Sequence, residues 1–507
     1  MHDYTYDKCT YESEASVEIL PRPAEMFDRD REWAALCAFA QDTSPGASLG
    51  IVSGRRRQGK TFLLRALCQA AGGFYFAADE AADAESLHRM GAALGNHTGT
   101  PAPLALTGWA DVLDALLALG RDHPVPVVID EFPYLVAANP SLPSIVQNAL
   151  APLRDERDQS RTRLLLCGSA VSFMGKLLAG AAPLRGRAAL ELVVPTLDHQ
   201  RAAQFWGVGD PVTALKVNAI VGGTPAYRRE LVRDDVPDGP NDFDAWVLRT
   251  VLSPTSPLFR EARYLLADEP GLRDTALYHS LLAAIASGNT TRGRIASFLG
   301  RKSGDLAHPL RVLEDCGLIM CEPDAFRDNR TTFRIAEPLI TFHHAVMRPV
   351  WADLEHTRDP SRLWQAAQTR YVSNVLGPHT EHIARYWLRH LAPQGVLGEL
   401  PAAVESGTVN DPAARTTHEV DIVATAYADN GPRRILAIGE VKWGETIGHP
   451  HLDRLRHIRA LLAAQGRPGA AGCRLVLASM TGFTDDITKH ARRTDDVVLV
   501  HAADLYL

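Results

Sequence analysis

The 507-residue sequence predicts an α/β fold with a parallel sheet in its amino-terminal part, and two observations carry that reading. Strand-like and helix-like segments alternate over 49–53, 61–71, 73–77, 109–120, 125–130, 144–156 and 163–167, the pattern of strands covered by crossover helices. Several of the strand runs are continuous apolar stretches, as strands buried on both faces require.

The first strand, Leu49-Gly50-Ile51-Val52-Ser53, runs into Gly54-Arg55-Arg56-Arg57-Gln58-Gly59-Lys60-Thr61, which fits the phosphate-cradling pattern G-x-x-x-x-G-K-[ST]. Average residue usage produces that spacing by accident in about 2% of chains this long. Phe62-Leu63-Leu64-Arg65-Ala66-Leu67 then continues with good helix formers at helical spacing. The chemistry needs these residue types. Gly54 and Gly59 let successive N–H groups face an anion, and the following helix adds its positive end. Lys60 supplies a point charge for β and γ phosphates, and the Thr61 hydroxyl suits Mg2+. The expected ATP contacts are therefore Gly54 to Thr61 with Phe62 adjoining.

Val125-Pro126-Val127-Val128-Ile129-Asp130-Glu131 is a buried-strand run ending in two carboxylates, a Walker B pattern. Asp130 is expected to hold Mg2+ through water, and Glu131 to orient or activate the attacking water. A third strand, Arg163 to Cys167, ends in Gly168-Ser169-Ala170. Ser169 is placed either to contact the γ-phosphate or to cap the next helix. Leu184-Arg185-Gly186-Arg187 brings two guanidinium groups near the end of this region, where one could serve as an arginine finger or both as plain surface residues.

With 46% hydrophobic residues the chain has ample core, and no apolar run approaches the ~20 residues of a membrane span. Met1 to Glu18 is polar and acidic rather than a signal peptide, so a cytoplasmic protein is expected. Seven cysteines, odd in number and without C-x-x-C spacing, read as reduced core thiols. The formal charge of −7 argues against nonspecific coating of nucleic acid, although basic clusters occur at Arg228-Arg229, Arg292 to Lys302, Arg454 to Arg459 and Arg492-Arg493.

The expected organisation is a loose arm over 1–24, the ATPase core over 25–200 and a helical lid over 201–270 that includes Ala214 to Val221 and Gly222-Gly223-Thr224-Pro225. Over 271–350, helices at 274–286, 291–299 and 307–316 precede a hairpin turning at Arg327-Asp328-Asn329, the order of a winged helix. Its recognition helix is expected near 303–315, with Lys302, His308 and Arg311 on phosphates; protein interaction is the other use of such a module.

From 365 to 507 the pattern changes to long helix, strand, strand, helix, strand. Val420 to Ala424 and Arg434 to Lys442, joined by a turn at Asp429-Asn430-Gly431, are expected to bring Asp421, Glu440 and Lys442 together. Two carboxylates make an oxygen-rich site for Mg2+ or Mn2+, and Lys442, two residues after Glu440, shares its face. Glu381 on the upstream helix and Glu419 are further acids. An ordinary hairpin with a cross-strand ion pair is the alternative.

In this order, Gly54 to Thr61, Asp130-Glu131, Gly168-Ser169, Gly186-Arg187 and Gly222-Gly223-Thr224-Pro225 resemble the archaeal-type ATPase family of the STAND-related P-loop proteins, over most of 25–345. The resemblance favours Arg187 as the finger. The tail, with Glu419-Val420-Asp421 and Gly439-Glu440-Val441-Lys442-Trp443, is similar to the domain of unknown function often fused to that ATPase, itself similar to PD-(D/E)XK restriction-endonuclease-like nucleases. That resemblance implies a metal site at Asp421 and Glu440 with Lys442, and matches Glu381 to the helix acid. Arg55-Arg56-Arg57 is an unusually basic run for the loop's variable positions.

The implied architecture is a P-loop NTPase parallel sheet with a helical lid, a winged helix and a carboxyl-terminal α/β restriction-endonuclease-like domain. The implied activity is ATP hydrolysis that regulates metal-dependent DNA cleavage, with DNA and further copies of the chain as partners and no membrane. Two rivals are an ATP-driven oligomerising switch whose carboxyl-terminal and winged-helix parts bind DNA or protein without cutting, and a transcription factor that binds DNA sequence-specifically without hydrolysis.

Overall fold

A computed structural model of the chain describes residues 20–100, 103–267, 274–428 and 431–507. Residues 1–19 of the expected arm, with Cys9, and Asp429-Asn430 of the expected turn lie outside the described residues. The chain forms two compact units: residues up to Gly54 with Gly59–Ser169 and Phe173–Val194, and Arg55–Gln58 with Ala170–Ser172 and Pro195–Leu507.

The first unit is an α/β structure with a five-stranded sheet. Its strands are β1 (Ser48–Ser53), β2 (Phe74–Ala77), β3 (Val125–Asp130), β4 (Thr162–Gly168) and β5 (Ala188–Val193), ordered β2-β3-β4-β1-β5. Every pairing is parallel. β3 and β4 are buried along their whole length, which explains their unbroken apolar runs. Alternate residues feed opposite faces: Leu164 and Leu166 join one core with Trp109, Val112 and Leu116, while Leu165 and Cys167 join another with Trp33, Leu63 and Leu67. Arg163, fully buried at the start of β4, satisfies its guanidinium on the carbonyls of Asp42, Ser44 and Gly46.

The second unit opens with helices His199–Trp206 and Pro211–Val221. The latter ends at Gly222, and a side chain on Gly223 would run into the Leu197 carbonyl, so the backbones pack here only with glycine. Helices Thr275–Ala286, Arg292–Leu299 and Ala307–Asp315 follow, the last preceded by a 3-10 turn over Ser303–Leu306.

The seven remaining strands are β6 (Ile319–Asp324), β7 (Arg327–Ile335), β8 (Ala403–Asp411), β9 (Thr416–Ala426), β10 (Arg434–Lys442), β11 (Arg474–Ser479) and β12 (Val497–His501). They form one sheet ordered β12-β11-β10-β9-β8-β6-β7. The β6–β7 hairpin is antiparallel and joins the others through a parallel pairing of Asp324 with Ser406. Helix His449–Ala464 lays Leu452, Leu455, Ile458 and Leu462 on the strand residues Val423, Ile438 and Leu477, burying the apolar stripe that its spacing creates. No helix among the described residues is long and apolar enough to cross a membrane, and the six described cysteines are free thiols.

Candidate functional sites

Parallel strands end at one edge of their sheet, and that edge collects the residues singled out in the first unit. β1 runs into Gly54, β3 ends at Asp130, and β4 ends at Gly168 beside Ser169. Gly59 stands at φ 89 and leads directly into helix Lys60–Ala71, whose first turn carries no acidic residue. A Cβ at Gly59 would meet open space, so the position demands glycine for its backbone angle rather than for crowding. A helix start of this kind presents backbone N–H groups and the positive end of its dipole, which suit an anion.

Lys60 is buried, and its Nζ donates to the Gly54 carbonyl at 2.7 Å. The Thr61 hydroxyl donates to Asp130 Oδ2 at 2.8 Å, joining residues 69 positions apart. Tyr75, on β2, donates its hydroxyl to the same oxygen at 2.7 Å. The other oxygen of Asp130 accepts from the Glu131 backbone N–H at 2.9 Å. Glu131 adopts φ 52 at the start of helix Phe132–Ala138, and its Oε2 accepts from the Ser169 hydroxyl at 3.0 Å. The donor set fits Mg2+ with a nucleotide: a hydroxyl and a carboxylate share one place, with a second carboxylate held beside them.

Phe62 is 45% exposed and Arg56 is exposed. Arg55 and Arg57 belong to the second unit, where Arg55 pairs with Glu337 and Arg57 makes a two-pronged pair with Glu261 (2.5 and 3.0 Å). Both carboxylates are buried, so the basic run has acidic counterparts distant in sequence. Arg187 is not brought to this edge. It precedes β5, whose first residue pairs with Leu49 while its last pairs with Ser53, so about 17 Å of strand at ~3.3 Å per residue separates it from the loop.

In the second unit, the antiparallel register of β9 and β10 pairs Ile422 with Gly439 and sets Asp421 and Glu440 next in line. Asp421 Oδ2 accepts from the Val441 N–H at 2.8 Å. Glu440 is buried and held by two cations, Lys442 Nζ at 2.8 Å and Arg454 Nη1 at 2.5 Å. Burial opposes its charge, but Lys442 and Arg454 overcome this and keep its carboxyl below the ordinary range. Asp421 and Glu381 go the other way. Burial raises both, and the Asp421 charge helps push Glu381 up to about 7. Arg385 offsets part of this, standing 3.9 Å from Glu381 and donating to the Asp421 carbonyl.

Burial and mutual repulsion therefore disfavour two negative charges at Asp421 and Glu381, a cost that a divalent cation would relieve. Glu440 is neutralised by its own cations, and the three carboxylates do not bring one oxygen each within 4.8 Å of the others. To take a metal ion, Glu440 would have to exchange one of its cationic partners. Glu381, Arg385, Glu419 and Asp421 line a cavity of about 240 Å³. An open groove of about 480 Å³ continues past Glu419 between Arg294, Arg330 and Arg454. Lys302, His308 and Arg311 are exposed on or beside helix Ala307–Asp315.

Sequence reasoning did not find Tyr75, Arg385 or Arg330. Tyr75 sits in a short apolar strand and carries no motif; Arg294 and Arg454 fall in basic clusters visible in the sequence, but nothing in the spacing joins them to each other or to Arg330.

These features define the first unit as a parallel-sheet α/β structure with a phosphate-type loop at the carboxyl end of its first strand. No known family profile matches the chain. It is similar to an uncharacterised protein of Methanocaldococcus jannaschii, 25% identical over 324 residues that span 62% of this chain and 67% of the relative. Among solved structures it is similar to a Walker-type ATPase of Pyrococcus abyssi, with 21% identity, 64% of this chain and 97% of that one covered, and a TM-score of 0.48. The ORC2 protein of Aeropyrum pernix, solved with ADPNP and ADP, follows with 17% identity, 69% and 96% coverage and a TM-score of 0.37. Likenesses at these TM-scores do not carry the activity of those proteins to this chain.

Proposed function

We propose that the chain binds and hydrolyses ATP with Mg2+ and that this activity regulates a metal-dependent phosphodiesterase centred on Asp421, Glu440 and Lys442 that acts on DNA. The observation that supports the first half most is the meeting of Thr61 and Asp130 at 2.8 Å, with Glu131 held by Ser169 beside them. Lys60 would take the β and γ phosphates, Thr61 and Asp130 the Mg2+, and Glu131 would accept the proton of the attacking water. When bound, Mg2+ neutralises charge on the phosphates. Arg187, which lies away from its own chain's loop, would act as a finger only from a neighbouring copy.

The second half is supported by the cluster at Asp421, Glu440 and Lys442 and by the three arginines of the adjoining groove, which suit a phosphate backbone. Divalent metal would supply Lewis acidity there, while Lys442 would meet the charge developing on the phosphate. In this reading helices 275–315 and the β6–β7 hairpin act as a winged helix, residues 201–270 as a lid and 365–507 as the endonuclease-like domain, with a cytoplasmic location and Mn2+ as a substitute metal.

Lys60→Ala should abolish ATP binding or hydrolysis with an unchanged far-ultraviolet spectrum; full hydrolysis in that variant would refute the first half. Purified protein with Mg2+ or Mn2+ should nick DNA and lose this in Asp421→Ala and Lys442→Ala. Equal nicking by both variants would refute the second half. The switch reading, binding without cutting, is favoured if DNA binding persists and no nicking occurs at all.

A further inference from the structure

A second cluster stands on the far side of the β8–β9 hairpin and belongs to neither chemistry. Among the described residues, one set of three metal-ligating side chains brings a ligand atom each within 4.8 Å of the others: Asp411, His418 and His457. Asp411 ends β8, His418 lies on β9 opposite Val409, and His457 projects from helix His449–Ala464. The turn fixes the carboxylate. Ala414 donates its N–H to Asp411 Oδ1 at 3.0 Å, which leaves Oδ2 for the imidazoles.

Both imidazoles present Nε2 to that oxygen, His457 at 2.8 Å and His418 at 3.6 Å, with the rings edge to face at 5.4 Å. Hydrogen bonding accounts for only the first. At 3.6 Å the His418 nitrogen is beyond hydrogen-bond reach, and it is buried with no hydrogen-bond partner. An orphaned, buried ring nitrogen aimed at a buried carboxylate is costly unless a cation lies between them. Four-coordinate zinc with bonds of ~2.05 Å sets its ligand atoms about 3.3 Å apart, between the two separations seen here.

We propose that Asp411 Oδ2, His418 Nε2 and His457 Nε2 bind one Zn2+-class transition metal ion. Two imidazoles and one carboxylate suit zinc and its neighbours rather than Mg2+ or Ca2+, which take oxygen ligands. Three protein ligands leave one position for water, and His457, with a side chain 51% exposed, lies on the open side. The ion clips helix His449–Ala464 to the β8–β9 turn. Arg454 lies three residues before His457 on that helix and holds both Glu440 and the Glu419 carbonyl, so the clip also positions Arg454.

The test uses the full chain, stripped with a chelator and titrated with Zn2+ against a chromophoric competitor, with Co2+ absorption as a second readout. Wild type should bind one equivalent tightly and melt at a higher temperature with it. His457→Ala and Asp411→Asn should each weaken that binding by about 100-fold or more and lose the thermal gain, because each removes a direct ligand. Asp421→Ala should bind Zn2+ as wild type does. The proposal is overturned if wild type takes up no stoichiometric Zn2+, or if His457→Ala and Asp411→Asn bind as well as wild type. It is equally overturned if Asp421→Ala alone loses the ion, which would assign it to the neighbouring carboxylates.

Discussion

Tyr75→Phe isolates one hydrogen bond at the proposed nucleotide site. The Tyr75 hydroxyl donates to Asp130 Oδ2 at 2.7 Å, and the ring, half-buried, lies 4.7 Å under the Arg65 guanidinium. Phenylalanine keeps the ring and removes only the donor, so no cavity term arises. A hydrogen bond to a charged acceptor contributes about 1.5–3 kcal/mol, and partial exposure of the tyrosine reduces this to about 1 kcal/mol. Asp130 would keep its Thr61 and Glu131 N–H contacts, so the fold stands. Stability to urea should fall by about 1 kcal/mol, and Mg2+-dependent ATP turnover should change by about 5-fold, the same energy expressed as a rate. Asp130→Asn, in contrast, should abolish turnover. The reasoning is refuted if Tyr75→Phe matches wild type in both urea midpoint and turnover, because the tyrosine would then be a packing residue alone.

Glu261→Gln removes the carboxylate that grips Arg57 through two N–H groups, in a place where Arg57 adopts φ 69; denaturant unfolding should show a loss of about 3 kcal/mol, the lower range for breaking a buried pair. His343 is buried, and burial first, then His279 and the arginines Arg263 and Arg348, push its pKa down from 6.5 to about 3. A folded pKa below the unfolded one means stability that is present above pH 6.5 and lost as pH falls toward 3, amounting to about 1.4 kcal/mol one unit below 6.5. Melting at a series of pH values should show this decline, and His343→Phe should remove only its own share, because burial also lowers the pKa of His344, His379 and His382. For the groove, if it holds DNA as proposed, Arg330→Glu should weaken that binding regardless of sequence and lower the salt slope by about 1, measured by anisotropy across a salt series; an unchanged slope removes Arg330 from the proposed interface.

The parts of this molecule that the sequence discloses are those whose chemistry is local. In the proposed reading Gly54 to Thr61 are contiguous because one turn would wrap one anion, and Asp130-Glu131 end a strand because parallel sheets gather functional groups at that edge. Asp421, Glu440 and Lys442 were legible for a related reason: adjacent strands and a two-residue step fix their shared face. Arg187 shows the limit, since nearness in sequence to the core said nothing about which end of β5 it would occupy. Tyr75, the acidic partners of Arg55 and Arg57, and the trio Asp411, His418 and His457 depend on register and helix docking, which no local spacing encodes.

Asp324 illustrates how such long-range register shapes the proposed DNA groove. It is the β6 residue that pairs with β8, and it is 9% exposed. One oxygen accepts from the Thr408 and Phe326 N–H groups, and the other accepts from the Thr408 hydroxyl at 2.6 Å. Those bonds pin the β6–β7 hairpin to the sheet that carries Asp421 and Glu440. A side chain on Gly407 would meet the Phe326 ring at 2.6 Å, so the ring, seated at the turn of the hairpin, packs over Gly407 only if it carries no side chain or the ring moves. Arg330, on β7, stands 3.8 Å from the same Asp324 carboxylate and lines the groove with Arg454 from the opposite side. The guanidinium on the hairpin and the carboxylates on β9 and β10 are thus held in one continuous sheet, and a displaced hairpin would carry away one wall of the groove. Asp324→Ala should therefore weaken DNA binding more than its distance from Asp421 alone would suggest, while Arg330→Glu in that background should add little. Independent, additive losses would mean that the hairpin and the groove are not mechanically joined.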